Sequence, residues 1–132
     1  MNIPENLSYA KTHEWVQFID DTTARIGISD YAQQELGGLV FVNLPEEGDA
    51  VTAGEAFGDV ESVKAVSDII SPVTGVISAV NQELLDNAVS INENPYDSWF
   101  IEVTDITAKS ELMTASEYGD FCRKCQEEKE AH

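Results

Sequence analysis

The chain has 132 residues, of which 42% are hydrophobic and 24% are charged, so it is long enough for one globular domain with its own core. Its formal net charge of −18 is extreme for this length, and nucleic acids and anionic membrane surfaces would repel it. Neither class of partner is therefore expected. The acidity suits a protein that docks on basic collars of other proteins, and equally one whose charge maintains solubility.

Targeting signals are not evident in the sequence. No apolar run approaches the ~20 residues of a membrane span. Residues 1–6 have neither the basic start and apolar core of a signal peptide nor an Arg-rich transit character. We therefore expect a cytoplasmic protein.

The N-terminal part of the chain predicts a β-hairpin, a short helix and a further strand, from its alternating apolar residues and turn formers. The predicted elements are strands over 15–19 and 24–28 joined by a turn at 20–22, a helix from Asp30 to about Leu36, and a core strand of Val40, Val42 and Leu44 ending at Pro45. Ser29 is expected to cap the helix and Gly37-Gly38 to end it.

The segment around Lys64 is the most unusual part of the chain. Lys64 is one of five lysines. On both sides of it, over 56–70, small or apolar residues alternate with larger or charged ones. This period of two predicts two short strands with Lys64 at the bend between them. The bend lacks the Asn-Gly or Asp-Gly of a tight hairpin, and such a departure often marks a functional site. The alternative is an ordinary solvated lysine on a loop tip.

The second half of the chain predicts further strands and then a helical tail. The predicted elements are a turn over 72–75 followed by Val76, Ile77 and Val80, a helical turn over 83–86, a closing strand of Trp99, Ile101 and Val103 with Phe100 and Glu102 on its other face, and a helix from Ser110. Residues 127–132 are expected to be a frayed tail, because terminal polar residues are seldom held in place.

The chain shows no sign of an enzyme active site or a metal site. It has no nucleophile with a nearby His and acid and no phosphate-binding glycine loop. Cys122 and Cys125 form one C-x-x-C, but a zinc site needs about four ligands and only His13 and His132 could add imidazole. We interpret the cysteines as two thiols on one helical face, and His13 as structural or solvent-facing.

Several sequence motifs together resemble one known family. The motifs are Glu61-Ser62-Val63-Lys64-Ala65 with Asp68 and residues 71–75, Tyr9-Ala10 with His13-Glu14-Trp15, residues 27–33, residues 39–45, and Asn94-Pro95-Tyr96 before Trp99. In the order in which they occur along the chain, they resemble the glycine cleavage system H protein family, from about Leu7 to about Cys122. Within them, Val63 and Ala65 flank the lysine where biotin carriers have methionines, so the segment is similar to the lipoyl class.

The resemblance implies a fold and a modification site. The fold is mainly β, a barrel-sandwich hybrid of the lipoyl/biotinyl-like hammerhead type with small helices and a C-terminal helix, forming a single domain over 1–132. Lipoate is expected in amide linkage to Lys64, with Glu61, Ser62, Val63 and Ala65 as the neighbours that a modifying enzyme contacts. The residues expected to contact the arm or its aminomethyl cargo are Thr12, Glu14 and Asp68. For Glu14 and Asp68, solvated surface carboxylates remain the alternative.

The resemblance also implies a set of partners. They are the pyridoxal-phosphate glycine decarboxylase (P protein), the aminomethyltransferase (T protein), dihydrolipoamide dehydrogenase (L protein) and lipoate-attaching enzymes. The chain itself is expected to be a monomeric carrier and not an enzyme, in the cytoplasm of a bacterium or, if it is a processed eukaryotic chain, in the mitochondrial matrix. Two alternatives stay open: an H-like lipoate carrier for lipoyl relay or sulfur metabolism, and a purely structural β-sandwich module.

Overall fold

The computed structural model describes residues 2–130, the side chain of Glu130 excepted, and its regular elements are nine strands and four helices. In chain order they are β1 Ser8–Tyr9, β2 Glu14–Asp20, β3 Thr23–Ile28, α1 Asp30–Leu36, β4 Leu39–Asn43, β5 Ala50–Val51, β6 Ala56–Ser62, β7 Val66–Ile70, β8 Val73–Val80, α2 Glu83–Asp86, α3 Val89–Glu93, β9 Ile101–Lys109 and α4 Ala115–Glu130. The prediction of a mainly β fold with small helices and a C-terminal helix is confirmed.

The strands form two sheets in which every pairing is antiparallel. One sheet has six strands in the order β1-β2-β3-β9-β8-β5, and the other has three in the order β4-β6-β7. Apolar residues from both sheets form one core cluster, which includes Ile26, Val42, Val60, Ile77 and Phe100. No helix within residues 2–130 is long and apolar enough to cross a membrane.

Helix α1 begins and ends at the predicted residues, because its capping groups are local in sequence. The Ser29 hydroxyl accepts a hydrogen bond from the Ala32 N–H at 3.2 Å, which satisfies one of the free amides of the first turn. Gly37 ends the helix with φ of 79°, in the left-handed region that favours glycine. The sequence around α1 therefore determines where the helix stops, and Lys64 packs at that end.

A second, largely aromatic cluster joins helix α4 to the N-terminal strands. Tyr9 and Tyr118 stack with ring centroids 4.5 Å apart, and Trp15, Tyr31 and Cys122 belong to the same buried group. The Tyr118 hydroxyl lies 2.5 Å from Ser29 Oγ, which connects α4 to the start of α1. This packing fixes α4 against the body of the protein.

Helix α4 begins later than the sequence pattern predicts. It starts at Ala115 and not at Ser110, and Met113 instead forms an isolated β-bridge with Tyr9. The start is set by a capping box: the Glu117 N–H donates to Thr114 Oγ1, and the Thr114 N–H donates to the Glu117 carboxylate. The helix continues to Glu130, and positions 131–132 of the predicted frayed tail lie outside the described residues.

One predicted core residue and one predicted turn are wrong. Val40 is 58% exposed, because a bulge between Leu39 and Phe41 shifts the register and places Leu39 in the core instead. Residues 72–75 are not a turn: β8 starts at Val73, and Gly75 lies within it, where a Cβ would be 2.6 Å from the Thr104 carbonyl oxygen. That glycine permits close approach of β9 and does not mark a turn.

The closing strand is displaced toward the C-terminus. Strand β9 begins at Ile101, so Trp99 precedes it and packs against the Arg25 guanidinium, whose carbon lies 4.7 Å from the ring centroid. Phe100, predicted on the other face, is fully buried in the main core. Helix α3 was not predicted, because residues 89–93 have little helical periodicity of their own.

Candidate functional site

Lys64 lies at the tip of the β6–β7 hairpin, as the alternating pattern predicts. The last paired residues of the two strands are Glu61 and Val66. Ser62 supplies the turn chemistry: its hydroxyl accepts hydrogen bonds from the Lys64 and Ala65 amides, both at 3.1 Å, and its N–H donates to the Ala65 carbonyl at 2.8 Å. A serine two residues before the tip was the available sequence signal, since Ser forms this type of turn in place of Asn-Gly.

The Lys64 side chain is exposed and rests on the C-terminal end of α1. Its Nζ donates to the Glu35 carbonyl at 3.1 Å. The helix has no basic residue in its last turn, so Lys64 supplies the cation that a helix C-terminus favours. A Cβ on Gly37 would lie 3.2 Å from Lys64 Cε, so the glycine leaves room for the lysine stem.

A cleft of about 530 Å³ opens beside Glu35, whose carbonyl accepts the hydrogen bond from the Lys64 ammonium group. Its lining includes Thr12, Glu14 and Asp68, the three residues predicted to meet the arm or its cargo, together with Glu35. The attachment-motif residues Glu61, Ser62, Val63 and Ala65 are not part of the lining. The structure thus brings the three candidate contact residues together and leaves the attachment motif outside, on the hairpin.

Glu14 is the unusual group of this cleft. Glu14 is 2% exposed. Its carboxylate accepts one hydrogen bond from the Thr12 hydroxyl and another, at 3.3 Å, from the Ile70 N–H. Burial raises the pKa of the Glu14 carboxyl to about 7, and these hydrogen bonds oppose the rise. The interpretation of Glu14 as a solvated surface carboxylate is therefore wrong. Asp68 is exposed at the cleft, so for it that alternative remains open.

His13 has a structural role in the wall of the cleft. Its φ of 79° is unusual for a residue other than glycine, and its Nδ1 lies 2.8 Å from the Tyr118 hydroxyl. Burial lowers the pKa of the His13 imidazole, which favours the neutral ring. The ring packs against Tyr31 and Phe121. The prediction that His13 is structural agrees with these contacts.

One wall of the cleft comes from α4, which the sequence did not indicate. Cys125, Glu128 and Lys129 line it, and the Lys129 ammonium pairs with the Glu35 carboxylate. Their three- and four-residue spacing places them on one helical face, but spacing does not reveal what that face packs against. Across the described part of the chain, no group of three or more His, Cys, Asp or Glu side chains could hold a metal ion.

Comparison with known proteins gives the family. The sequence profile described as "Glycine cleavage H-protein" matches residues 7–125. The chain belongs to this family. A glycine cleavage system H protein from Lachnoclostridium phytofermentans is 60% identical over 124 residues, which cover 94% of this chain and 98% of that protein. A probable glycine cleavage system H protein from Pyrococcus furiosus is 45% identical, with 92% of each chain covered.

A solved structure supports the same assignment. The crystal structure of a glycine cleavage system H protein from Mycobacterium marinum has a TM-score of 0.85 and 44% sequence identity, covering 89% of this chain and 97% of that one. The predicted family and the predicted lipoyl-type barrel-sandwich fold class are both confirmed.

Proposed function

We propose that this chain is the lipoyl carrier of the glycine cleavage system. In this role it takes the aminomethyl group of glycine on a lipoylated Lys64 from the glycine decarboxylase to the aminomethyltransferase and is then reoxidised by dihydrolipoamide dehydrogenase. The observation that carries the proposal is the placement of Lys64: an exposed amine at the tip of a hairpin, in contact with a residue of a cleft that contains a buried carboxylate.

The residues present fit a lipoyl group on Lys64. The lysine is exposed, and the neighbouring Ser62 and Ala65 side chains are small enough for a modifying enzyme to close around it. An acylated nitrogen keeps one N–H, so the donor to the Glu35 carbonyl is not lost on modification. Apolar side chains of the cleft, including Ile28, Leu36 and Ile69, suit a hydrocarbon stem. When attached, lipoate supplies the disulfide that accepts the aminomethyl group.

Glu14 is suited to receive a cationic cargo. An ammonium group in the cleft would meet a carboxylate that is already desolvated, and charge-assisted hydrogen bonds are strong in such surroundings. The Thr12 hydroxyl holds the Glu14 carboxylate in place, and Asp68 adds a second acceptor at the cleft. A reactive cargo held between the walls of the cleft would be less exposed to hydrolysis than one on the open surface.

The body of the molecule is suited to docking and not to catalysis. Its net charge of −18 favours partners with basic collars around their active sites. We propose the P, T and L proteins and a lipoate-attaching enzyme as those partners, and propose that the carrier is a monomer with no catalytic residue of its own. The proposed location is the cytoplasm, as the family resemblance implies.

The proposal is tested by intact mass after incubation with lipoate, ATP and a lipoate ligase. Wild-type chain should gain the mass of one lipoyl group, and Lys64→Arg should gain none. Lys11→Arg, at another exposed lysine, is the matched control and should gain the full mass. Equal gain by Lys64→Arg would show that the residue assignment is wrong, and no gain by wild type would favour a purely structural module.

A lipoyl-relay carrier would also be modified at Lys64, so a second assay separates the two roles. With the partner decarboxylase, lipoylated wild type should support glycine-dependent exchange of bicarbonate into glycine. The cleft around Glu14 is the feature that favours the glycine role. Absence of exchange by fully lipoylated chain would favour the relay role.

A further inference from the structure

The C-x-x-C of the sequence has one cysteine in the arm cleft and one behind it. Cys125 is partly exposed and lines the cleft with Thr12, Glu14 and Asp68. Cys122 is fully buried in the aromatic cluster. The two thiols are therefore not equivalent, because only Cys125 faces the space that a group attached to Lys64 can enter.

A short chain of contacts connects Lys64 to the helix that carries Cys125. The Lys64 Nζ donates to the Glu35 carbonyl, and the Glu35 carboxylate pairs with Lys129. Cys125 precedes Lys129 by four residues, which places it on the same face of α4 about 6 Å along the helix axis. Glu35 thus contacts both the attachment point and the helix that carries Cys125.

We propose that Cys125 forms a mixed disulfide with the oxidised lipoyl arm and holds the arm in the cleft. This inference rests on the proposed lipoylation of Lys64. The Cys125 thiolate attacks one sulfur of the dithiolane, the ring S–S bond breaks as the Cys125–arm S–S bond forms, and the other arm sulfur leaves as a thiolate that takes up the proton lost by Cys125. One disulfide replaces another, so the step needs no added oxidant or reductant.

The tether makes this reaction intramolecular. A group fixed to Lys64 samples the cleft at a high effective concentration, which compensates for a thiol of modest reactivity. The product hides the arm disulfide from partner enzymes until the freed arm thiol recloses the ring or an external thiol reduces the mixed disulfide. The cleft would therefore store the idle carrier in a form that thiol reductants release.

The surroundings of Cys125 make the exchange slow near neutral pH. Burial raises the pKa of the Cys125 thiol, and the nearby Glu128 carboxylate raises it further. The titratable and charged groups facing the cleft are Glu128 and Lys129 from α4, Tyr31 and Glu35 from α1, His13 and Glu14 at the start of β2, and Asp68 from β7. The reactive thiolate becomes more abundant as pH rises, so trapping should accelerate in alkaline buffer.

The test is a peptide map of fully lipoylated, oxidised chain. Samples held without reductant at about pH 7 and about pH 9 are acidified, alkylated in denaturant and digested with trypsin without reduction. Acylated Lys64 resists cleavage, so the arm stays on the fragment 26–109, while Cys125 falls in 125–129 and Cys122 in 110–123. We expect the fragments 26–109 and 125–129 to be linked by a disulfide in protein of monomer mass. The rate at which this link forms should rise roughly tenfold per pH unit below the pKa of the Cys125 thiol.

Matched variants identify the reacting thiol. Cys125→Ser should lose the linked species, Cys122→Ala should keep it, and dithiothreitol should release it. The inference is overturned if fully lipoylated wild type gives no linked fragments at either pH, if Cys125→Ser gives as much, or if the link appears only in dimers. In those cases the lipoyl mass on Lys64 still supports the proposed function, whereas absence of that mass overturns both.

Discussion

Glu14→Gln should change stability in a pH-dependent way that isolates the cost of the buried carboxylate. In the unfolded chain this carboxyl has a pKa near 4.5, and burial raises its pKa to about 7 in the folded protein. Folding must therefore either keep the proton or bury the charge. Below pH 4.5 the carboxyl is protonated in both states and folding carries no penalty from ionisation.

The magnitude follows from the two pKa values. As pH rises from 4.5 to about 7, the unfolded carboxyl ionises while the folded one stays protonated, so wild type loses stability. At about 1.4 kcal/mol for each tenfold difference in proton affinity, the loss reaches about 3 kcal/mol above that window. Glutamine has no such loss, because its Oε1 can accept from the Ile70 N–H while its NH₂ group donates to the Thr12 hydroxyl, as the protonated carboxyl can. The Glu14→Gln variant should thus be about as stable as wild type at low pH and about 3 kcal/mol more stable at high pH.

Urea denaturation of wild type and Glu14→Gln at about pH 4 and about pH 8.5 measures this difference. Both chains carry the same other charges, so the common acid sensitivity of an acidic protein cancels in the comparison. The decisive quantity is the change in the stability difference between the two pH values, expected to be about 3 kcal/mol in favour of the variant. A difference that does not vary with pH would refute the buried-carboxylate argument.

Two further predictions concern the fold that carries the site. Gly75→Ala places a Cβ 2.6 Å from the Thr104 carbonyl oxygen and should lower the free energy of unfolding by about 1–3 kcal/mol. The control is Gly38→Ala, whose Cβ would have nothing within 4 Å and which should change this free energy by less than about 0.5 kcal/mol in urea denaturation. Equal effects of the two substitutions would contradict the packing argument. Thr114→Ala removes the hydroxyl that caps α4 and should cost about 1 kcal/mol. Thermal denaturation by circular dichroism checks this value, and an unchanged midpoint would show that the Glu117 carboxylate alone suffices to start the helix.

Local patterns were sufficient wherever a structure depends on neighbouring residues. The alternation around Lys64 predicted the β6–β7 hairpin, and Ser29 with Gly37 predicted both ends of α1. The same logic failed where an apolar residue has two possible partners. Met113 fits a helical spacing, yet it pairs with Tyr9, because the capping box starts α4 two residues later. Gly75 fits a turn, but the close approach of β9 explains it.

The sequence by itself determined the family, the mainly β fold and the tip position of Lys64, because these depend on motif order and on the period of strands. Only the tertiary structure decided that Glu14 is buried, that Lys64 rests on the Glu35 carbonyl, and that Cys125 shares the cleft. Each of these facts depends on how α1 and α4 pack against the hairpin and β2. Burial and contacts of this kind arise where surfaces from distant parts of the chain pack together, and no local sequence pattern specifies that packing.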